Sequence, residues 1–456
     1  MKRFLLSIAL TAAATAAFPQ TMNIRMGQVI HAYPADATGD MTVTDAGITV
    51  AGKVYAISGI TNITVANTAV ADNSVNVTYS GNTADVVIAG NIADLVTAKV
   101  DGAHVTLLQS PDVANEITYT LQGTTTDGSF YMDGSFKATV VLSGVNIHNP
   151  DSAAINIQDG KRIDVVLAAN TQNTLSDGIK GTDDGTDAHN ACFYVNGHTE
   201  FKEAGSLTIT GNVKHAFTSD EYCVVKASTG AVTVQSAVGD GFHIGQYFQQ
   251  KGGTVTINAT GDGVDVGAKK DTTKELNGQI LLDGGTLTAT VTGETSDAMK
   301  CDADFTMTGG TVTLLSSGAG GRAFNNNGNV EISGGRLEGV SCGAIYDKGG
   351  VDERKSHGMK SDGNITISGG EVYIAGSASK GKAFNTDYKL LFNGGTIMGI
   401  GGKEISATAA STQTSKKYVG VKLSAGGTVS YDGVKFTVPS VYSNSSASVI
   451  VSRAGL

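Results

Sequence analysis

One dipeptide, recurring at a near-fixed interval, limits what this chain can fold into more than any other feature. Gly-Gly followed by a strand-like tripeptide appears as GGTVTI, GGTLTA, GGTVTL, GGRLEG, GGEVYI and GGTIMG, with the second glycines at Gly253, Gly285, Gly310, Gly335, Gly370 and Gly395. Successive spacings are 32, 25, 25, 35 and 25 residues, and degenerate copies stand at Gly230 and Gly205. Self-similarity at such a period marks a stacked repeat of about 23–25 residues, interrupted by insertions near 271–277 and 347–355.

Counting from the second glycine sorts the apolar residues into columns. Five residues before it stand Phe248, Ile280, Phe305, Val330, Ile365 and Leu390; two after it stand Val255, Leu287, Val312, Leu337, Val372 and Ile397. Eleven before it stand Phe242, Met299, Phe324, Met359 and Phe384, with Val264 equivalent ahead of the first insertion. Each repeat thus carries three short alternating segments separated by glycine or Asn/Asp corners, the period-2 signature of strands. The expected fold is all-β: a right-handed single-stranded parallel β-helix with three short strands per coil. A propeller blade would need about 40–45 residues. Glycine, 60 of 456 residues, costs a helix about 1 kcal/mol per site relative to alanine, which excludes a mainly helical chain. A hydrophobic share of 40% excludes disorder. Residues 71–402 are expected to form the β-helix, with 18–70 and 403–456 as its N- and C-terminal caps.

Residues 1–17 read as a secretory leader: Lys2 and Arg3, then a mostly apolar run from Phe4 to Phe18 with small residues around Ala14–Ala17. No cysteine lies near the cleavage site, and no later apolar run approaches the roughly 20 residues of a membrane helix. The mature chain is therefore expected to be secreted, periplasmic or surface-held, without a membrane span, and monomeric. Without the leader, 30 basic residues face 42 acidic ones, a balance that argues against nucleic acid. Four scattered cysteines form no CxxC pair; they are buried thiols or one or two disulfides.

Stacking turns polar positions into columns as well. Thirteen before the glycine the residues read His215, Asp240, Asp262, Asp297, Arg322, His357 and Lys382 along the axis; ten before it stand His243, Asp265, Lys300, Asn325, Lys360 and Asn385. Eight before it stand Asp302, Asn327, Asp362 and Asp387, expected to form a side-chain ladder, and six before it Asp304, Asn329 and Asn364. Carboxylates stacked about 4.8 Å apart repel by about 3 kcal/mol per adjacent pair at an effective dielectric of 20. Either one is protonated or a cation sits among them, and oxygen donors favour Ca²⁺; the alternative is a solvated corner where Asp is a good turn former. Lys300, Arg322, His357, Lys360 and Lys382 make an adjoining basic stripe, which suits a carboxylate-bearing polymer or is a solvated face. Neutral-glycan sites favour aromatic platforms, and the chain has no Trp.

The segments VVLSGVNI, NTLSDG, KGTDDGTDAHNACF, GSLTITGNVKHAF, GDGFHI, GDGVDV, SDAMKCDADFTMTGGTVTL and HGMKSDGNITISGG resemble an exported carbohydrate-binding β-helix family known for acidic, pectin-type polysaccharides. The resemblance covers roughly residues 139–402 and the C-terminal cap. It implies bound calcium and a relationship to pectate-lyase-like folds, and carries over Asp262, Asp297, Asp302 and Asp304 as the foremost calcium ligands, with Asp240 and Asp265 next. The KHG-type element reads KHAF here, and the GDG signature becomes GGRAF and KGKAF in later repeats.

Three function classes remain open. The first is a non-catalytic binder of acidic polysaccharide with calcium. The second is a calcium-dependent polysaccharide lyase, for which Lys300 is the candidate base, although Lys360 repeats its position. The third is a structural surface β-helix or adhesin with no glycan ligand.

Overall fold

A computed structural model of the chain describes residues 20–178, 190–347, 349 and 353–456. The leader at 1–17, most of the KGTDDGTDAHNACF segment and part of the second insertion lie outside the described residues. The described chain is all-β and contains no α-helix, hence no helix long and apolar enough to cross a membrane.

Two large sheets, 12-stranded and 27-stranded, account for most of it. From residue 155 onward the chain visits three parallel ladders in turn and returns to each one repeat later. The first ladder, part of the 12-stranded sheet, runs through Phe242–Ile244, Val264–Val266, Met299–Cys301, Phe324–Asn326, Met359–Ser361 and Phe384–Asn385. The second runs through Tyr247–Gln250, Gln279–Leu282, Phe305–Met307, Val330–Ile332, Ile365–Ile367 and Leu390–Phe392. The third runs through Thr254–Ala259, Thr286–Val291, Thr311–Ser316, Arg336–Ser341, Glu371–Ala375 and Thr396–Gly401.

The register is the one the glycine spacing dictates. Phe242 pairs with Val264, Val264 with Met299, Met299 with Phe324, Phe324 with Met359 and Met359 with Phe384. All are buried, as are the other two apolar columns, in one core cluster that extends from Val75 to Ile450. Alternate residues face outward, so each polar position of one repeat stacks on its equivalent in the next.

The two glycines of each corner serve different needs. The second ones, Gly253 to Gly395, have φ between +69° and +84°, a region that side chains with Cβ avoid. The first ones sit against the preceding repeat: a Cβ on Gly309 would lie 2.5 Å from the Asp283 carbonyl oxygen. The earlier copies Gly205 and Gly230 meet only the second need, a Cβ falling 2.3 Å from Ala168 O and 2.1 Å from Gly205 O. Upstream, Ala138–Asn149 is a single long strand that bends at Gly144 (φ +75°) and pairs with members of two ladders. That is why no Gly-Gly corner marks this part of the sequence.

Both ends depart from the parallel pattern. Thr21–Met26 pairs antiparallel with Val29–Pro34 and Asn62–Ala66 over a separate small core of Met22, Ile24, Tyr33, Val50, Tyr55 and Ala93. At the other end Asn444–Ser452 pairs antiparallel with both Thr396–Gly401 and Ser415–Leu423. The four cysteines are free thiols; Cys192, Cys223 and Cys301 are buried.

Candidate functional site

The charged column begins as a chain of hydrogen bonds between repeats. Asp240 N–H donates to His215 Nδ1 (2.9 Å), Asp262 N–H to Asp240 Oδ1 (2.8 Å), Asp297 N–H to Asp262 Oδ1 (2.7 Å) and Arg322 N–H to Asp297 Oδ1 (3.0 Å). Each corner amide needs an acceptor, and Asp or His supplies one with a side chain short enough to reach the next repeat. Arg322 has no acceptor to offer, so His357 N–H turns to Lys355 O; the series resumes with Lys382 N–H donating to His357 Nδ1 (3.0 Å). One oxygen of each aspartate is therefore committed to the fold, and the other meets the charged and polar side chains around it.

The register sets Asp265 directly between His243 and Lys300 on the outward face. His243 Nδ1 lies 3.0 Å from Asp240 Oδ2 and 3.3 Å from Asp265 Oδ2; Lys300 Nζ lies 3.0 Å from Asp265 Oδ1 and 3.5 Å from Asp262 Oδ2. Asp297, with a side chain only 1% exposed, receives Arg354 Nη2 on both oxygens (2.9 and 2.7 Å) and Asn325 Nδ2 on Oδ2 (2.8 Å). Arg354 also donates to Thr295 O. Asp240, Asp262, Asp297, Lys300 and Arg354 line an open depression of about 540 Å³.

Charge is shared unevenly. Hydrogen bonds to Asp240 and Asp265 push the His243 imidazole up to about 9, so it is an imidazolium at neutral pH. Burial works against the Asp240 carboxylate, but His215 and His243 beside it hold it well below the usual range. Asp265 is held down in the same way by His243 and Lys300. Asp262 goes the other way: burial, then the Asp297 charge, push it up to about 7. Asp297 is raised by burial despite Arg354 and Arg322. Four carboxylates thus face four cations, His243, Lys300, Arg322 and Arg354, and Asp262, paired among the described residues only with Lys300 at 3.5 Å, is the least compensated.

Two sequence expectations separate here. Asp240, Asp262, Asp265 and Asp297 come together; Asp302 and Asp304 do not join them. They occupy the next corner, between Met299–Cys301 and Phe305–Met307. There Asp302 Oδ2 accepts from Ala268 N–H and Oδ1 from Asn327 Nδ2, while Asp304 Oδ1 accepts from Asn329 N–H (2.7 Å). The last bond starts a second inter-repeat series, Asn364 N–H to Asn329 Oδ1 and Lys389 N–H to Asn364 Oδ1. The continuous ladder therefore stands six residues before the glycine, and the column eight before it contributes only the Asn327–Asp302 bond to it.

The basic half follows. Burial and the charges of Arg322, Lys382, Lys355 and Lys360 push the His357 imidazole down to about 3. Its Nδ1 accepts from Lys382 N–H, so its proton sits on Nε2, a neutral donor. Burial and Arg354 lower the Arg322 guanidinium to about 10, and its buried Nε meets no acceptor among the described residues. Lys360 pairs with Asp362 at 2.5 Å.

Sequence reasoning missed Arg354 altogether, because it lies in an insertion with no period. The roles of His215 and His243 were also unforeseen, though His243 sits in the register column. Their ligand atoms and those of Asp240 lie within 4.8 Å of one another. The imidazoles stack at 4.5 Å and 17°, and near-parallel rings aim their in-plane lone pairs side by side, not at one ion. The lone pair on His215 Nδ1 is already spent on Asp240 N–H, which also removes it as a general base. Lys300, held protonated well above its ordinary range by Asp265 and Asp262 against the effect of burial, offers no lone pair at neutral pH.

The model of the carbohydrate-binding domain-containing protein family matches residues 101–404, and the chain belongs to that family. A carbohydrate-binding domain-containing protein of Acetivibrio thermocellus is 33% identical over 123 residues, 26% of this chain; the match spans 42% of that relative's length. Among solved structures, a polysaccharide lyase-like protein from C. thermocellum, a gadolinium derivative, aligns with a TM-score of 0.47 and 23% identity, over 57% of this chain and 97% of that one.

Proposed function

We propose that the mature chain is exported and binds acidic, uronate-rich polysaccharide without cleaving it, as a right-handed parallel β-helix whose charged face carries the polymer. The three ladders visited in turn support the β-helix, and right-handed crossovers between parallel strands are the rule. Residues 18–70 and 403–456 act as caps, consistent with their antiparallel strands and separate cores. The apolar run from Phe4 to Phe18 supports export.

The observation that carries the reading is the succession of Lys300, Arg322, His357, Lys360 and Lys382 beside a carboxylate corner, in a chain of a carbohydrate-binding family. Cations and a neutral imidazole N–H suit polymer carboxylates. The protonated state of Lys300 supports binding over lyase chemistry, whose base needs a free lone pair.

Calcium fits the corner in part. Asp262, the least compensated, offers the oxygen that would hold it; Arg354 already neutralises Asp297 and His243 already holds Asp240. Bound there, calcium would offset the charge of Asp262 and supply a bridge to a polymer carboxylate. The test is retention of the chain on polygalacturonate and on a neutral galactan, with and without calcium, while absorbance from unsaturated product is followed. Calcium-enhanced retention on the acidic polymer alone, with no product, is expected. Product release would establish a lyase, and no retention on either polymer would leave a structural role.

A further inference from the structure

One repeat before the acidic corner, the outward column reads Tyr194, Thr218 and His243, paired in register across three strands. Those strands lie about 4.8 Å apart, so a small residue between two large ones leaves a gap. The gap is a notch of about 230 Å³, whose lining includes Tyr194, Lys214, His215, Thr218, Asp220 and His243. At its floor Thr218 is only 3% exposed, yet its buried Oγ1 has no hydrogen-bond partner among the described residues. A buried hydroxyl left unpaired carries a real penalty, and Thr218 lines the notch.

The chemistry around it is mixed, not of one sign. Lys214 is positive; Asp220 is negative and accepts from the Tyr194 hydroxyl (2.7 Å), and the His243 ring is held at Nδ1 by Asp240. Opposed charges of similar number disfavour an oxyanion. They suit a ligand whose groups both donate and accept, as each sugar hydroxyl does: Asp220 accepts, His243 presents a ring nitrogen and Thr218 does either. We infer that this notch is a separate binding site for an uncharged pyranose ring, taking neighbouring hydroxyls onto Thr218, Asp220 and His243. The inference rests on the carbohydrate-binding reading and deepens it: the chain would hold a neutral sugar unit next to the segment that holds acidic ones.

The experiment uses the mature chain and three probes, the methyl pyranosides of galactose, glucose and xylose, by saturation-transfer NMR. Retention on polygalacturonate is measured in parallel. Wild type is expected to bind at least one pyranoside, Thr218→Val to weaken that binding by about 5-fold or more, and Thr218→Ser to restore it. Polygalacturonate retention should be the same in all three. Because the lost hydroxyl is unpaired in the free protein, Thr218→Val should melt at or above the wild-type temperature. Unchanged pyranoside binding in Thr218→Val, a lowered melting temperature, or no pyranoside binding by a wild type that polygalacturonate retains would each overturn the notch. Loss of both ligands in the wild type would overturn the parent reading with it.

Discussion

Arg354→Gln removes a guanidinium that meets both oxygens of a carboxylate 1% exposed. Breaking a buried ion pair by removing one partner costs about 3–5 kcal/mol. Two features of this pair reduce that figure: Arg354 is 22% exposed, and Asp297 keeps its bonds from Arg322 N–H and Asn325 Nδ2. A loss of about 2–3 kcal/mol is the working value, equivalent in a chain of this length to a fall in melting temperature of about 2–3 °C at pH 8. The sign with pH follows from Asp297, whose folded pKa burial already raises. Without Arg354 it rises further, so the penalty is full where the carboxyl must ionise and fades as acid protonates it. Calorimetric melting at pH 8 and pH 5 should show a large deficit and then a smaller one. Asp297→Asn combined with Arg354→Gln should recover most of the loss, since the amide oxygen still accepts from Arg322 N–H. An Arg354→Gln variant that melts with the wild type at pH 8, or a deficit that does not shrink in acid, would refute the reasoning.

Asp262→Asn keeps Oδ1 for the Asp297 amide but removes the under-compensated charge. A carboxyl raised from 3.8 to about 7 in the folded state costs stability as pH climbs from about 4 to 7, so the variant should outlast wild type in urea at pH 8 and match it at pH 4. The His243 imidazole, raised from 6.5 to about 9, contributes stability that is complete below about 6.5 and lost as pH rises through about 9. His243→Gln should flatten the urea midpoint across that window. Gly310→Ala forces Cβ onto a residue at φ +84°, and Gly309→Ala drives it into Asp283 O; each should lower the unfolding free energy by about 1–3 kcal/mol, read from denaturant midpoints.

Register was the legible part of this chain. The second glycines require positive φ and the first require closeness, so their spacing counts residues per repeat, and every apolar column derived from it is a ladder column in the structure. The same count brought Asp240, Asp262 and Asp297 together and set Lys300 beside Asp265. What the period could not give is where a side chain spends its hydrogen bonds. Asp302 and Asp304 are as periodic as Asp297, yet they bond the amides and amide side chains of another corner. Arg354 reaches Asp297 from an insertion outside the period. The notch at Thr218 needs the sizes of three side chains compared across repeats, in a region where no Gly-Gly corner sets the register.

The central claim is that the basic stripe reads polymer carboxylates. Calorimetric titration of the mature chain with de-esterified and fully methyl-esterified galacturonan oligomers, for wild type and for Lys360→Ala with Lys382→Ala, tests it most directly. Tighter binding of the de-esterified oligomer by wild type, with that preference largely lost in the double variant, is the predicted result. Equal affinity for both oligomers, or a preference untouched by removing the two lysines, would contradict it.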